Sequence, residues 1–204
     1  VEWNLRRIMG GLSARLPFER WRGIWFASLV QKRRATVSTL SEDELTAAIA
    51  AVRPRLLRHG FTFGPTVEAF ALICEVSSRT LGMVPYPVQV RGGYGMVRGR
   101  LIEMATGEGK TLTALLPAAA AALAGLRVHV VTVNDYLAAR DCKELAPAFE
   151  RLGLSVGVIT HEDEPAARRE KYQRNIVYIN NKEVVFDYLR DRAAILEATD
   201  DKRQ

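Results

Sequence analysis

A chain of 204 residues with 48% hydrophobic side chains and a net charge of +6 has apolar material for one sizeable core and suits one domain with an appended arm. It contains no apolar run near the roughly 18 residues a membrane span requires, and no N-terminal apolar block ahead of a small-residue cleavage site, so neither a spanning nor an exported protein is expected. Two widely separated cysteines, Cys74 and Cys142, lack metal-ligand spacing and read as buried small hydrophobes in a reducing cytoplasm.

The arm comes first along the chain, as two helical stretches over about 2–15 and 18–34, with Gly10 and Gly11 weakening the first and Pro17 placed to open the second. Residues 1–34 hold eight basic side chains against two acidic ones, which accounts for the whole excess of +6 and leaves the remainder neutral. That distribution argues against a nucleic-acid track spread across the body. Trp21, Trp25 and Leu29 recur at helical spacing on one basic, aromatic face. Such a face suits packing on the same protein, an anionic membrane surface or another protein.

At Ser41 the pattern changes. Ser41 followed by Glu44 has the spacing of a capping box, and the helix it opens carries Leu45, Ile49 and Val52, with a kink or break expected at Pro54 and an end before Gly60. A further helix over about 66–81 presents Val67, Phe70, Ala71, Cys74 and Leu81 and stops at Gly82. Beyond residue 85 the rhythm becomes α/β. Runs rich in β-branched residues over 128–133, 154–159 and 176–179 read as buried strands, alternating with helices over about 110–124, 135–151, 165–173 and 182–196. A parallel sheet flanked by helices follows, because parallel strands need crossover connections.

The sharpest chemical signal is Met104-Ala105-Thr106-Gly107-Glu108-Gly109-Lys110-Thr111, expected in a strand–loop–helix setting. Glycines at 107 and 109 allow a tight turn that aims N–H groups at phosphate oxygens, and the positive end of the following helix adds to the field. Lys110 would neutralise the β- and γ-phosphates and Thr111 would ligate Mg²⁺. Met104 stands where the strict motif has a further glycine, so the match is to the superfamily 2 variant of the phosphate loop. The bland alternative is a helix cap. Dinucleotide binding is weaker, since Lys-Thr follows and no complete Gly-x-Gly-x-x-Gly occurs.

The string from Glu103 through Thr111 to Ala114, with Leu116-Pro117-Ala118, resembles the Walker A segment of the SecA family of preprotein translocase motors. Thr132-Val133-Asn134-Asp135-Tyr136-Leu137-Ala138 with Arg140-Asp141, and Phe186-Asp187-Tyr188-Leu189-Arg190-Asp191, are similar to two further strings of that family. Leu81-Gly82-Met83 and Val88-Gln89 before Gly92-Gly93 look like its adenine-reading segment. The resemblance covers about residues 41–192. It implies a superfamily 2 RecA-like partial domain over 41–204, helical over 41–84 and α/β over 85–204, preceded by a basic amphipathic arm over 1–40. It implies ATP and Mg²⁺ as ligands, with Gln89 reading adenine, Tyr86 packing on the base, the loop Thr106, Gly107, Glu108, Gly109, Lys110, Thr111 and Leu112 around the phosphates, and Arg140 near the nucleotide or a lobe interface. Asp187 and Arg190 would form a local salt bridge. Ala105, Ala139 and Ile179-Asn180 depart from the family pattern.

The implied activity is ATP-driven protein export. Its partners would be a preprotein, a membrane-embedded channel and anionic phospholipid touched by the arm, with a possible homodimer of the full motor, no nucleic acid, and a location at the inner face of the cell membrane. The family's Asp-Glu-Val-Asp segment, which completes the Mg²⁺ shell and activates water, has no counterpart in these 204 residues, so the isolated chain is expected to hydrolyse ATP negligibly. The alternatives are a helicase-related ATPase acting on nucleic acid and a non-hydrolysing ATP-binding adaptor.

Overall fold

The computed structural model describes residues 17–200, with side chains over 21–195; the helix expected over 2–15 lies outside them. Four helices come first: α1 (Pro17–Val37), α2 (Glu42–His59), α3 (Phe63–Leu81) and α4 (Pro87–Val97). The α/β part follows as α5 (Lys110–Leu123), β1 (Val128–Thr132), α6 (Asp135–Arg151), β2 (Val156–Ile159), α7 (Pro165–Lys171), β3 (Ile176–Asn180) and α8 (Asn181–Asp200). The sheet is parallel in the order β1-β3-β2, with Val128 and Val156 both in register with Ile176. Central β3 is buried at all five residues. The expected α/β class with a parallel sheet is therefore the observed one.

The first helix packs on a different stripe from the one its tryptophans suggest. Phe26, Ala27, Val30 and Val37 are buried, and Phe26 stacks on Tyr94 at 3.9 Å while meeting Phe63 and Phe70 edge-on. Trp25 stacks on Phe63 at 4.6 Å, yet Trp21 and Trp25 stay 68% and 58% exposed. Two apolar stripes overlap on this helix, and the one carrying Phe26, Ala27, Val30 and Val37 reaches the core.

The capping box is present at α2: Ser41 Oγ accepts from the Glu44 N–H at 3.3 Å, and the Glu44 carboxylate accepts from the Ser41 N–H at 2.8 Å. Pro54 does not break this helix, which continues to His59. Buried Leu45, Ile49, Val52 and Leu56 hold the two halves on one packing surface, and tertiary burial outweighs the lost backbone bond. At the centre lies α3, with Phe70, Leu72, Ile73 and Val76 fully enclosed. Its buried Glu75 pairs with Arg34 of α1 and Arg79 of its own helix. Arg79 and Arg151 both reach Glu42, tying the helical layer to α6.

No strand precedes the 105–109 loop among the described residues. The segment before it lies against α4 instead of beside β1: a Cβ on Gly95 would come within 2.4 Å of Ile102 Cδ1, and one on Gly92 within 3.5 Å of the Met104 sulfur. Leu101 projects almost wholly into solvent. α4 itself carries three glycines in eleven residues, which propensity alone counts against a helix. Close packing explains them. A Cβ on Gly93 would sit 3.0 Å from Leu116 Cβ and 3.3 Å from Phe70, so only a bare backbone lets α4 lie this near α3 and α5.

Candidate functional site

The loop ahead of α5 owes its shape to two glycines in the left-handed region, Gly107 at φ 87° and Gly109 at φ 73°, where other L-residues are strained. Gly109 is also the last residue before the helix, and the first intrahelical bond runs from the Thr113 N–H to its carbonyl at 3.0 Å. The N–H groups of Lys110, Thr111 and Leu112 thus lack helical acceptors and point out of the positive end of α5. Thr113 Oγ1 adds a second bond to the Gly109 carbonyl.

The loop closes upon itself. The Glu108 N–H reaches the Ala105 carbonyl at 3.3 Å, and the Ala105 N–H donates to the Glu108 carboxylate at 2.8 Å. Lys110 Nζ donates to the same Ala105 carbonyl at 2.8 Å. Thr106, Gly107, Glu108 and Lys110 are exposed, whereas Gly109, Thr111 and Leu112 are half-buried. The Lys110 ammonium and the free N–H groups of Lys110, Thr111 and Leu112 thus gather at the head of α5, a donor set that fits a phosphate group.

Gln89 is brought to this loop by α4. It is 4% exposed; its Nε2 donates to the Glu108 carbonyl at 2.9 Å and approaches the Gly109 carbonyl at 3.4 Å, while its Oε1 accepts from the Tyr86 N–H at 2.8 Å. The side chain is thus a strut between the start of α4 and the loop, with one carbonyl lone pair uncommitted. A Cβ on Gly109 would lie 2.3 Å from Gln89 Nε2. The Tyr86 ring stands 71% exposed beside this contact. Arg140 lies on α6 with its guanidinium on Asp141 at 2.6 and 2.9 Å, so the structure does not join it to the loop.

A second polar cluster escaped the sequence reading. Arg168 of α7 is 4% exposed and grips Asp187 with Nε and Nη2, Glu183 at 2.6 Å and the Thr160 carbonyl at 2.8 Å. The Tyr172 hydroxyl donates to Asp187 at 2.7 Å. Arg190 does approach Asp187, at 3.4 Å, but Arg168 is the principal partner. A basic residue on a short charged helix gives no sequence signal that it faces inward. Cys74 and Cys142 are free and buried; burial pushes their thiols up to about 12 and about 11, leaving them protonated and inert. No group of acidic, histidine or cysteine side chains able to hold a metal by itself occurs among the described residues, and none of the described helices is long and apolar enough to cross a membrane.

Residues 18–204 match the family model of the SecA DEAD-like domain. The chain is 48% identical over 167 residues to protein translocase subunit SecA 2 of Nitrosospira multiformis, covering 82% of this chain and 25% of that protein. It is 48% identical over 157 residues to protein translocase subunit SecA of Clostridium beijerinckii, 76% of this chain and 18% of the relative. The chloroplastic protein translocase subunit SecA of Spinacia oleracea is 43% identical over 167 residues, 82% and 16% respectively. The chain thus spans a quarter or less of the length of these relatives. With a parallel α/β body, the Gly107–Thr111 loop at the head of α5 and a family match over nearly its whole length, the chain belongs to the SecA DEAD-like domain family.

Proposed function

We propose that this chain binds ATP through the 106–112 loop and forms the nucleotide-binding part of a SecA-like preprotein translocase motor. The observation that carries the reading is the self-closed loop, in which Lys110 rests on the Ala105 carbonyl at the open N-terminus of α5. An arriving triphosphate offers Lys110 a stronger, charged acceptor than that carbonyl, and the side chain needs only to swing from one to the other. The amides of Lys110, Thr111 and Leu112 then bind phosphate oxygens without rearranging the helix. Thr111 would supply a hydroxyl to Mg²⁺, and the metal would neutralise phosphate charge there. Gln89 would offer its uncommitted lone pair to the adenine amine, with the exposed Tyr86 ring beside the base.

The relatives' names, protein translocase subunits, support protein export by the whole motor; a preprotein and a membrane channel as partners, an inner-membrane periphery as its place and a homodimer of the full-length motor as its assembly belong to the same proposal. Exposed Trp21 and Trp25 beside Arg22 support contact of the arm with anionic phospholipid. The neutral body supports the absence of a nucleic-acid track.

Titration of the 204-residue chain with a fluorescent ATP analogue and Mg²⁺ tests the proposal. Lys110→Ala is expected to weaken binding about tenfold or more, the loss of a charge-assisted contact; equal affinity of the two proteins would sink it. Phosphate release by the chain alone is expected at background, since these residues include no Asp-Glu-Val-Asp string. Turnover abolished by Lys110→Ala would show a complete catalytic apparatus instead.

A further inference from the structure

The three parallel strands end at one edge of the sheet, and a polar chain spans that edge. Asp135 opens α6 just beyond β1, His161 follows β2 by two residues, and Asn180 is the last residue of β3. The His161 N–H donates to Asp135 Oδ2 at 3.0 Å, and the His161 ring Nδ1 lies 2.6 Å from the same oxygen. The other carboxylate oxygen accepts from the Asn180 side-chain amide. Asn180 is 8% exposed, and its own Oδ1 accepts from the Lys182 and Glu183 N–H groups at 2.8 Å each, capping α8. One carboxylate thereby joins the loop after β2 to the first turn of α8.

This arrangement links the two family strings, because Asp135 belongs to the 132–138 string and α8 carries the 186–191 string. We propose that Asp135 is a positioning residue that sets the start of α8 through Asn180, and that His161 is the pH-sensitive half of this link. The proposal concerns the nucleotide-free chain and does not depend on ATP binding.

Three carboxylates act on the His161 ring: Asp135 directly, then Glu162 of its own loop and Glu183 of α8, all of which favour the charged imidazolium. Glu183 is itself engaged by Arg168. The Asp135 hydrogen bond is the largest of these influences and raises His161 above its usual value, against a smaller cost of burial. Burial works to raise Asp135, but its bonds from His161 and Asn180 outweigh it and hold the carboxyl below its usual range, so it stays ionised near neutrality. The extra stability from His161 is therefore fully present below about pH 6.5, its unfolded value, and is lost as pH rises through the higher folded value. Arg168 makes a second tie from the same loop, at the Thr160 carbonyl, to Glu183 and Asp187. Burial works to lower Arg168, but its bonds to Asp187 and Glu183 outweigh it and keep the guanidinium charged, so the pH-sensitive member is His161 in the Asp135 branch.

NMR titration of the His161 ring between pH 5.5 and 8.5, with amide hydrogen exchange at Lys182 and Glu183, tests this in the 204-residue chain. The wild type is expected to titrate above pH 6.5, with protection factors at both amides falling about two- to fivefold across the transition, the worth of an exposed ion pair. Asp135→Asn is expected to return His161 to its ordinary midpoint and lower protection at both amides throughout. His161→Gln, at a 69% exposed side chain, keeps a donor for Asp135 and is expected to give a flat pH profile, which decides the matter if Asp135→Asn folds poorly. An unchanged His161 midpoint in Asp135→Asn overturns the proposal. So does protection at Lys182 and Glu183 that responds to neither pH nor His161→Gln.

Discussion

At the scale of single residues, Gly109 meets two constraints at once. Its φ of 73° lies in the left-handed region, and the space a Cβ would fill holds the Gln89 amide. Gly109→Ala is expected to cost about 1–2 kcal/mol from backbone strain alone, to displace Gln89 from the Glu108 carbonyl, and to weaken nucleotide-analogue binding more than it lowers the melting temperature; unaltered binding would show that the turn tolerates a side chain. The loop was legible because two glycines, a lysine and a threonine in that order leave few physical uses. Gln89 was legible only through the Val88-Gln89 and Gly92-Gly93 string of a family pattern, and its bonding to the loop backbone was not, since a glutamine on a glycine-rich helix declares no partner. Nothing in the sequence marked His161 or Arg168, whose roles arise from where a strand edge and a short helix bring them.

Secondary-structure elements divide by how much of their stability is local. β3 and α6 were readable because apolar pattern and burial coincide there; β1 and β2 were readable from their β-branched runs, although the expected burial is not met, since β1 has no buried residue and β2 only Ile159; and α2 announced its start through Ser41 and Glu44. α4 was not readable, for its glycines serve a tertiary contact that opposes helix propensity. Gly93→Ala brings that conflict to a measurement: the added methyl gains helix propensity but presses on Leu116 and Phe70, both fully buried. Overpacking is expected to prevail by roughly 1 kcal/mol, lowering the melting temperature by about 2–4 °C. A rise in melting temperature would mean that α4 can slide outward. The tryptophan stripe of α1 shows the reverse case, a periodicity that is real but belongs to the exposed flank.

Across the whole molecule, ion pairs fasten layers that the sheet alone does not connect. Glu42 bridges Arg79 and Arg151, and Asp163 meets Lys171 and the Thr160 N–H. Hydrogen bonds from Arg151 and Arg79 lower the Glu42 carboxyl. At Asp163 burial raises the carboxyl, but Lys171 and the Thr160 amide outweigh it, again with a net lowering. Their stabilisation is complete above the unfolded carboxyl range of about 4 and is lost as pH falls through the lower folded values. The melting temperature is therefore expected to change little from pH 7 to 5 and to drop steeply below about pH 4; a fall already complete at pH 5 would mean that these pairs are not formed. Architecture at this scale followed from the alternation of strand and helix signals, whereas the absence of a strand over 100–104 did not, because pairing is a property of neighbours.

The shared carbonyl of Ala105 has a thermodynamic corollary. On the proposed function, a triphosphate arriving at this loop would enter by exchange, since the ammonium of Lys110 already has an acceptor in the Ala105 carbonyl. The contact with Ala105 would then offset part of the affinity gained at the phosphates, and Lys110 would return to it when the nucleotide leaves.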